Sequence, residues 1–141
     1  MEPQKKKKKI LIVTGTRKRA IARAIIREGT GKVRINSLPL NLVQPRYKNL
    51  RLQEPLLIAG DIAKKVDIDI NVAGGGIWGQ ADAARTAMAN ALVNWSKDEA
   101  LKQTYHDYDR SLLISDPRRT EPHKPSRSGA GPRRSKQQSK R

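Results

Sequence analysis

The sequence predicts a single mixed α/β (α+β) domain with strongly basic extensions at its two ends. Three observations predict it. Residues 10–35 and 66–72 carry strand-type alternation, residues 81–108 carry apolar side chains at helical spacing, and the excess positive charge lies outside residues 35–116. The divisions that follow are a basic N-terminal extension over residues 1–9, a globular domain over 10–116 and a tail over 117–141. Roughly 105 residues outside the extensions leave room for one core, burying somewhat over ~60% of the surface of the unfolded chain.

Ile10 to Val13 are aliphatic and β-prone, and the pattern resumes after Thr14-Gly15-Thr16. From Arg17 to Arg27 two periods compete. A strand puts Arg17, Arg19, Arg23 and Arg27 on one face with Ile21 and Ile25, and Ala20, Ala22, Ala24 and Ile26 on the other. A helix instead makes a stripe of Ile21, Ala24, Ile25 and Glu28. The next residues decide for the strand: Glu28-Gly29-Thr30-Gly31 is a short glycine-containing turn, and Lys32-Val33-Arg34-Ile35 alternates cleanly. A hairpin with an arginine-bearing face is expected.

Pro39 and Pro45 bracket a turn-like stretch. Across Arg46 to Ala59, Leu50, Leu52, Leu56, Leu57 and Ile58 with Pro55 among them predict short helical pieces broken before that proline, ended by Gly60 and Asp61. Val66 to Val72 alternates for seven residues, the clearest strand in the chain, and Asp67 and Asp69 make its polar face acidic. After Gly74 to Gly79, the spacing of Ala81, Ala84, Met88, Ala91, Leu92 and Trp95 predicts an amphipathic helix with Asp82, Arg85 and Asn94 off the stripe. Ser96 and Glu99 form a capping-box pattern for a second helix, with Leu101, Tyr105 and Tyr108 inward and Asp98 four residues before Lys102. Leu112 to Ile114 add a last apolar patch before Asp116-Pro117.

The charge is segregated. Residues 1–34 hold 12 basic and 2 acidic side chains, residues 35–116 hold 9 and 10, and residues 117–141 hold 9 and 1, within a total of +17. A near-neutral body between two cationic ends is the electrostatic footprint of a nucleic-acid binder. The tail is too polar and too rich in Pro, Gly and Ser to offset its ordering entropy, so it is expected to be disordered when free and ordered by an anionic partner. No apolar run approaches the ~20 residues of a spanning helix, and the tail lacks the apolar face of an interfacial one, so no membrane role is expected. Without cysteine there are no disulfides, thiolate metal sites or cysteine nucleophiles, and Ile10 to Val13 is too short for the apolar part of a signal peptide. A cytoplasmic protein is the expectation.

Gly74, Gly76 and Gly79 satisfy G-x-G-x-x-G between a strand and a helix, with Asp98 and Glu99 about twenty residues on, the outline of a dinucleotide fingerprint. Three facts oppose that reading. The preceding strand alternates, where a central parallel strand is apolar on both faces; no further strand follows the helix to carry the acid; and the chain is too short for a paired mononucleotide fold with a substrate domain. Two readings remain, a backbone turn that only glycine fits and an anion site made by free N–H groups at a helix N-terminus.

The chain resembles the universal small-subunit ribosomal protein nine family. The residues carrying the likeness are Thr14 to Arg23 (TGTRKRAIAR), Gly31 to Asn36 (GKVRIN), and Asn71 to Ala81 (NVAGGGIWGQA) with Ala84-Arg85 behind it. Tyr108 to Leu113, Asp116 to Arg119 and the closing Ser139-Lys140-Arg141 are similar to its archaeal and eukaryotic branch. The resemblance implies a mixed sheet with helices on one face, a left-handed βαβ crossover and a long C-terminal extension. It also implies a structural, non-enzymatic role in the head of the small ribosomal subunit, in contact with rRNA and neighbouring ribosomal proteins. The end of the tail would reach the anticodon stem-loop of peptidyl-site tRNA. The candidate rRNA-binding residues are Arg17, Lys18, Arg19, Arg23, Lys32 and Arg34, then Gly74, Gly75, Gly76, Gly79 and Gln80, and in the tail Arg118, Arg119, Lys124, Arg127, Arg133 and Arg134; Lys140 and Arg141 are the tRNA candidates. Twenty-five extended residues span roughly 80 Å, far enough to leave the domain behind.

The remaining chemistry supports binding over catalysis. Asp67 and Asp69 read as a solvated acidic face, His106 and His123 are isolated, and no cysteine or i, i+4 histidine pair offers a metal constellation. No cofactor, metal or small-molecule substrate is expected. Lys64 and Lys65 read as a solvated helix end, Trp95 and the tyrosines as core, and Trp78 as ambiguous. Phosphate recognition by arginine forks and lysine charges then dominates, with RNA read through its shape. On duplex DNA, six to ten such contacts lose of order 10³–10⁵ in affinity between 50 and 200 mM salt, and folded rRNA follows qualitatively. A free chromatin-type nucleic-acid-binding module is the alternative, opposed by the lack of a helix with a row of basic residues to enter a groove.

Overall fold

A computed structural model of the chain describes residues 9–122. Strand β1 (Ile10–Arg17) turns at Lys18 and Arg19 into β2 (Ala20–Glu28), then come β3 (Val33–Ile35), β4 (Leu38–Pro39), a 3₁₀ turn at Leu40–Leu42, α1 (Arg46–Ala59), α2 (Asp61–Lys64), β5 (Val66–Ala73), α3 (Ile77–Ser96), α4 (Glu99–Tyr108) and a 3₁₀ turn at Arg110–Leu112. The strands form one mixed sheet in the order β1-β2-β5-β3-β4, with only β3 and β5 parallel. The connection from β3 to β5 through α1 and α2 is therefore a crossover.

One face of the sheet is buried and the other open. Ala20, Ala22, Ala24 and Ile26 of β2 and Val66, Ile68, Ile70 and Val72 of β5 point into the core, while Ile10, Ile12, Ile21 and Arg23 stay exposed. The alanines on β2 meet an alanine-rich α3, in which Ala83, Ala84, Ala87 and Ala91 are fully or almost fully buried, so sheet and helix approach closely. The tightest point is Gly15, where a Cβ would lie 2.4 Å from the Ala83 carbonyl oxygen. Helix α1 packs against α3, and α4 contacts both.

Several expectations are corrected. The hairpin joins β1 and β2 at Lys18-Arg19, and the segment beyond Glu28 does not fold back on β2. The Asp67 carboxylate accepts the backbone N–H groups of Thr30 (2.9 Å) and Lys32 (3.0 Å), and Gly29 N–H donates to the Lys65 carbonyl, which carries the chain across β5 to become its parallel neighbour. The acidic face is thus engaged: Asp69 pairs with Arg27 at 2.8 Å, and the two amide donors hold the Asp67 carboxyl below its ordinary range. Helix α1 runs unbroken through Pro55, which is buried on one face with Leu52 and Ala59, and the buried Tyr105 hydroxyl donates to the Pro55 carbonyl at 2.6 Å. The N-cap of α4 is Asp98, accepting from Ala100 N–H, with Ser96 closing α3; Lys102 pairs with Glu99 and not with Asp98. Lys64 pairs with Asp61 at 2.8 Å. Tyr47 and Tyr108 are exposed, and Arg85 is buried.

Candidate nucleic-acid interface

The β1–β2 turn is only two residues long, and Lys18 adopts φ 54°, in the left-handed region that non-glycine residues seldom occupy. Both side chains are exposed, and neither enters an ion pair among the described residues. Directly on this turn sits the strand-to-helix loop. Gly74 has φ 77°, and a Cβ there would stand 2.5 Å from the Arg19 carbonyl oxygen; Gly75 has φ 65°, with Ala20 N 3.0 Å from its would-be Cβ. Gly74 of the motif and Gly75 between its glycines are thus demanded by backbone geometry. Gly76 differs. Nothing lies within 4 Å of its would-be Cβ, and it caps the twenty-residue α3 without a side-chain hydrogen bond, so the leading N–H groups of that helix have no side-chain cap. Gln80 steadies the loop, its side-chain amide donating to the Gly74 carbonyl at 3.2 Å and its N–H to the Gly76 carbonyl at 2.9 Å.

Cations converge on this loop from two sides. Arg19, Ile21 and Arg23 line one shallow depression with Asn71 and Gly74; Lys18, Arg118, Arg119 and Thr120 line another beside Arg17. Arg17 itself points inward. Its side chain is partly buried, with the guanidinium ion-paired with Asp116 and 3.8 Å from Asp82, and Asp116 also accepts from the Arg118 N–H (2.8 Å) and Nε (3.0 Å). Arg51 joins Asp82 at 3.2 Å, and the buried Arg85 bridges Glu54 (2.8 Å) and Asp109 (2.9 Å). The Nε of Arg85 lies close to the Glu54 carboxylate but off its hydrogen-bonding axis. Burial pushes the Asp109 carboxyl upward, but the Ser111 hydroxyl and N–H together with Arg85 hold it below its ordinary value. Acids are thereby matched to interior arginines. Lys18, Arg19 and Arg23 are exposed around an open helix N-terminus and enter no ion pair among the described residues.

A profile of the family described as ribosomal protein S9/S16 matches residues 15–141, so it includes this turn, the glycine loop and the helix behind it. The chain belongs to that family. Its relatives include the small ribosomal subunit protein uS9 of Methanococcus maripaludis strain C7, 50% identical over 133 residues that cover 94% of this chain and 99% of the relative. The uS9 of Methanococcus vannielii is 49% identical with the same coverage.

Seen on this fold, the candidate residues of the S9/S16 chain separate into groups. Lys18, Arg19, Arg23, Gly74, Gly75, Gly76, Gly79, Gln80, Arg118 and Arg119 gather at one end of the sheet, around the β1–β2 turn. Arg17 is spent on the internal network, and Lys32 and Arg34 lie across β5, towards the opposite edge. Lys124, Arg127, Arg133, Arg134, Lys140 and Arg141 lie outside the described residues, as do His123 and all of the N-terminal lysine run except Lys9, whose ammonium stands 4.5 Å from the Trp95 ring centre. Sequence reasoning missed Asn71, exposed on the open face beside Arg23, although its place in the β5 alternation marked it. Trp78 is resolved as an exposed aromatic in the first turn of α3. Among the described residues no group of three or more acids or histidines could hold a metal, and no helix is long and apolar enough to cross a membrane.

Proposed function

We propose that the chain is a structural rRNA-binding component of the small ribosomal subunit, working in the cytoplasm by binding and not by catalysis. The observation that carries this is the cluster of Lys18, Arg19 and Arg23, without ion pairs among the described residues, on a glycine loop at the open N-terminus of α3, in a chain half identical to archaeal uS9 proteins. Phosphates meet the guanidinium and ammonium groups and the free helix N–H groups, while Arg118 and Arg119 continue the cationic track into the tail. The globular part over 10–116 is the rRNA-binding domain. Lys124, Arg127, Arg133 and Arg134 follow rRNA, and Lys140 and Arg141 reach the anticodon stem-loop of peptidyl-site tRNA.

RNA crosslinking with mass spectrometry on small subunits containing this chain tests both parts. Adducts from Lys18 to Arg23 and Gly74 to Gln80 to rRNA, and from Lys140 or Arg141 to tRNA, are expected. A chain missing from the subunits refutes the reading, and unchanged tRNA affinity after deletion of Lys140 and Arg141 refutes its tRNA part.

A further inference from the structure

We infer that the groove between the edge of β3 and α1 seats an extended segment of a neighbouring small-subunit protein, with an acidic residue of that segment facing Lys32. The groove encloses about 520 Å³, and its floor and walls are aliphatic: Val33, Pro39, Leu40, Leu56 and Leu57. Leu57 is 76% exposed, and Leu38 and Leu42, which flank the groove-lining stretch 39–41 in sequence, are exposed as well. Large aliphatic side chains left in water on one flank of a small domain mark an interaction surface.

Backbone geometry adds a second element. Ile68 N–H donates to the Lys32 carbonyl and Asn36 N–H to the Ile70 carbonyl, so the main-chain groups of Val33 and Ile35 point away from β5. Ile35 is covered by Leu38 of β4, but β4 pairs only with Arg34 and Ile35. Across the Arg34–Pro39 pair the Val33 carbonyl faces Leu40, so what Val33 leaves beside the aliphatic groove is its N–H, which has no backbone partner among the described residues and can donate to one carbonyl of an incoming segment.

Charge selects the occupant. Among the described residues no acid lines the groove, whereas Lys32 and Arg34 stand on its rim and neither enters an ion pair there. Lys32 lies near Asp67, but that carboxylate is already engaged by two backbone N–H groups. The two cations therefore complement an acidic side chain on the incoming segment. An RNA strand would satisfy the rim but leave Val33, Leu40, Leu56 and Leu57 unfilled, so the aliphatic lining favours a polypeptide. This inference takes its partner from the proposed place in the subunit. It concerns the sheet edge remote from the β1–β2 turn.

The test is photocrosslinking inside assembled small subunits, with benzoylphenylalanine replacing Leu57 in one variant and Asn41 in a second. Expected is an adduct from both positions to one stretch of a single neighbouring protein containing aliphatic and acidic residues. Lys32→Glu should lower its yield about two- to fivefold, the range of an exposed ion pair, and reversing the opposing acid to lysine should restore it. Adducts to rRNA, to a second copy of this chain, or to no protein at all overturn the inference, as does a yield unchanged by Lys32→Glu. Those results leave the proposed function standing. A chain absent from the subunits sinks both.

Discussion

Replacing Arg85 by leucine isolates the energetic core of the charge network. In the native chain its side chain, 3% exposed, spans Glu54 at 2.8 Å and Asp109 at 2.9 Å. Leucine keeps an apolar body in α3 but strands two carboxylates. Breaking a fully buried pair costs about 3–5 kcal/mol. Here Glu54 and Asp109 keep 24% and 33% of their side-chain surface in water, and Asp109 retains its bonds from Ser111, so partial rehydration lowers the expected loss to about 2–3 kcal/mol. Urea unfolding of the full chain at pH 7, followed by helical circular dichroism, reads this as a lower midpoint with an unchanged slope, and heating reads it as a Tm drop of roughly 10 °C. Lysine at the same place restores only part, since an ammonium cannot fork between two acids. Asp109 has a lowered folded-state pKa, so its contribution is present above the unfolded carboxylate value and fades as pH falls through the folded one. The gap between native and variant should accordingly narrow towards pH 3. A loss below about 0.5 kcal/mol, or a gap that stays constant from pH 7 to pH 3, would refute the assignment of Arg85 as the neutralising hub.

Gly74→Ala combines φ 77° with a Cβ 2.5 Å from the Arg19 carbonyl oxygen, so a loss of about 2 kcal/mol or more in urea is expected. Gly76→Ala meets open space and should cost about 1 kcal/mol or less, and equal losses at the two positions would count against the loop geometry. Lys97, at φ 56° as the C-cap of α3, should gain about 0.5 kcal/mol on replacement by glycine, and a destabilised Lys97→Gly chain would contradict its left-handed cap. Because the Thr30 and Lys32 amides lower the folded-state pKa of Asp67, stability should be intact above its ordinary value of 3.8 and decline as pH falls through the lower folded one. Asp67→Asn should weaken that acid dependence, as an acid titration followed by circular dichroism would show. Charge removal at Lys18 and Arg19 together should flatten the salt dependence of rRNA binding by about two phosphate contacts, and an unchanged slope would remove these residues from the interface.

Much of the domain is legible in local pattern. The alternation of Ala20 to Arg27 fixed which face of β2 is buried, Val66 to Val72 marked β5, and the spacing from Ala81 to Trp95 marked α3, because period and burial are properties of a single element in contact with a single core. The segregation of charge, and the glycine run with its basic neighbours, were likewise visible before any fold. What the chain did not disclose were relations between distant segments. Pairing of β3 with β5 depends on the Asp67 carboxylate catching amides more than thirty residues away. The burial of Pro55 inside helix α1, and its contact with Tyr105 fifty residues on, are set by packing between distant segments. Arg17 and Arg85 read as surface arginines until Asp82, Asp116, Glu54 and Asp109 are brought round them from other elements. Composition and periodicity determine which residues are buried or charged; only tertiary packing decides which charges meet inside and which stay open to a partner, since an ion pair is set by distance in space and not along the chain.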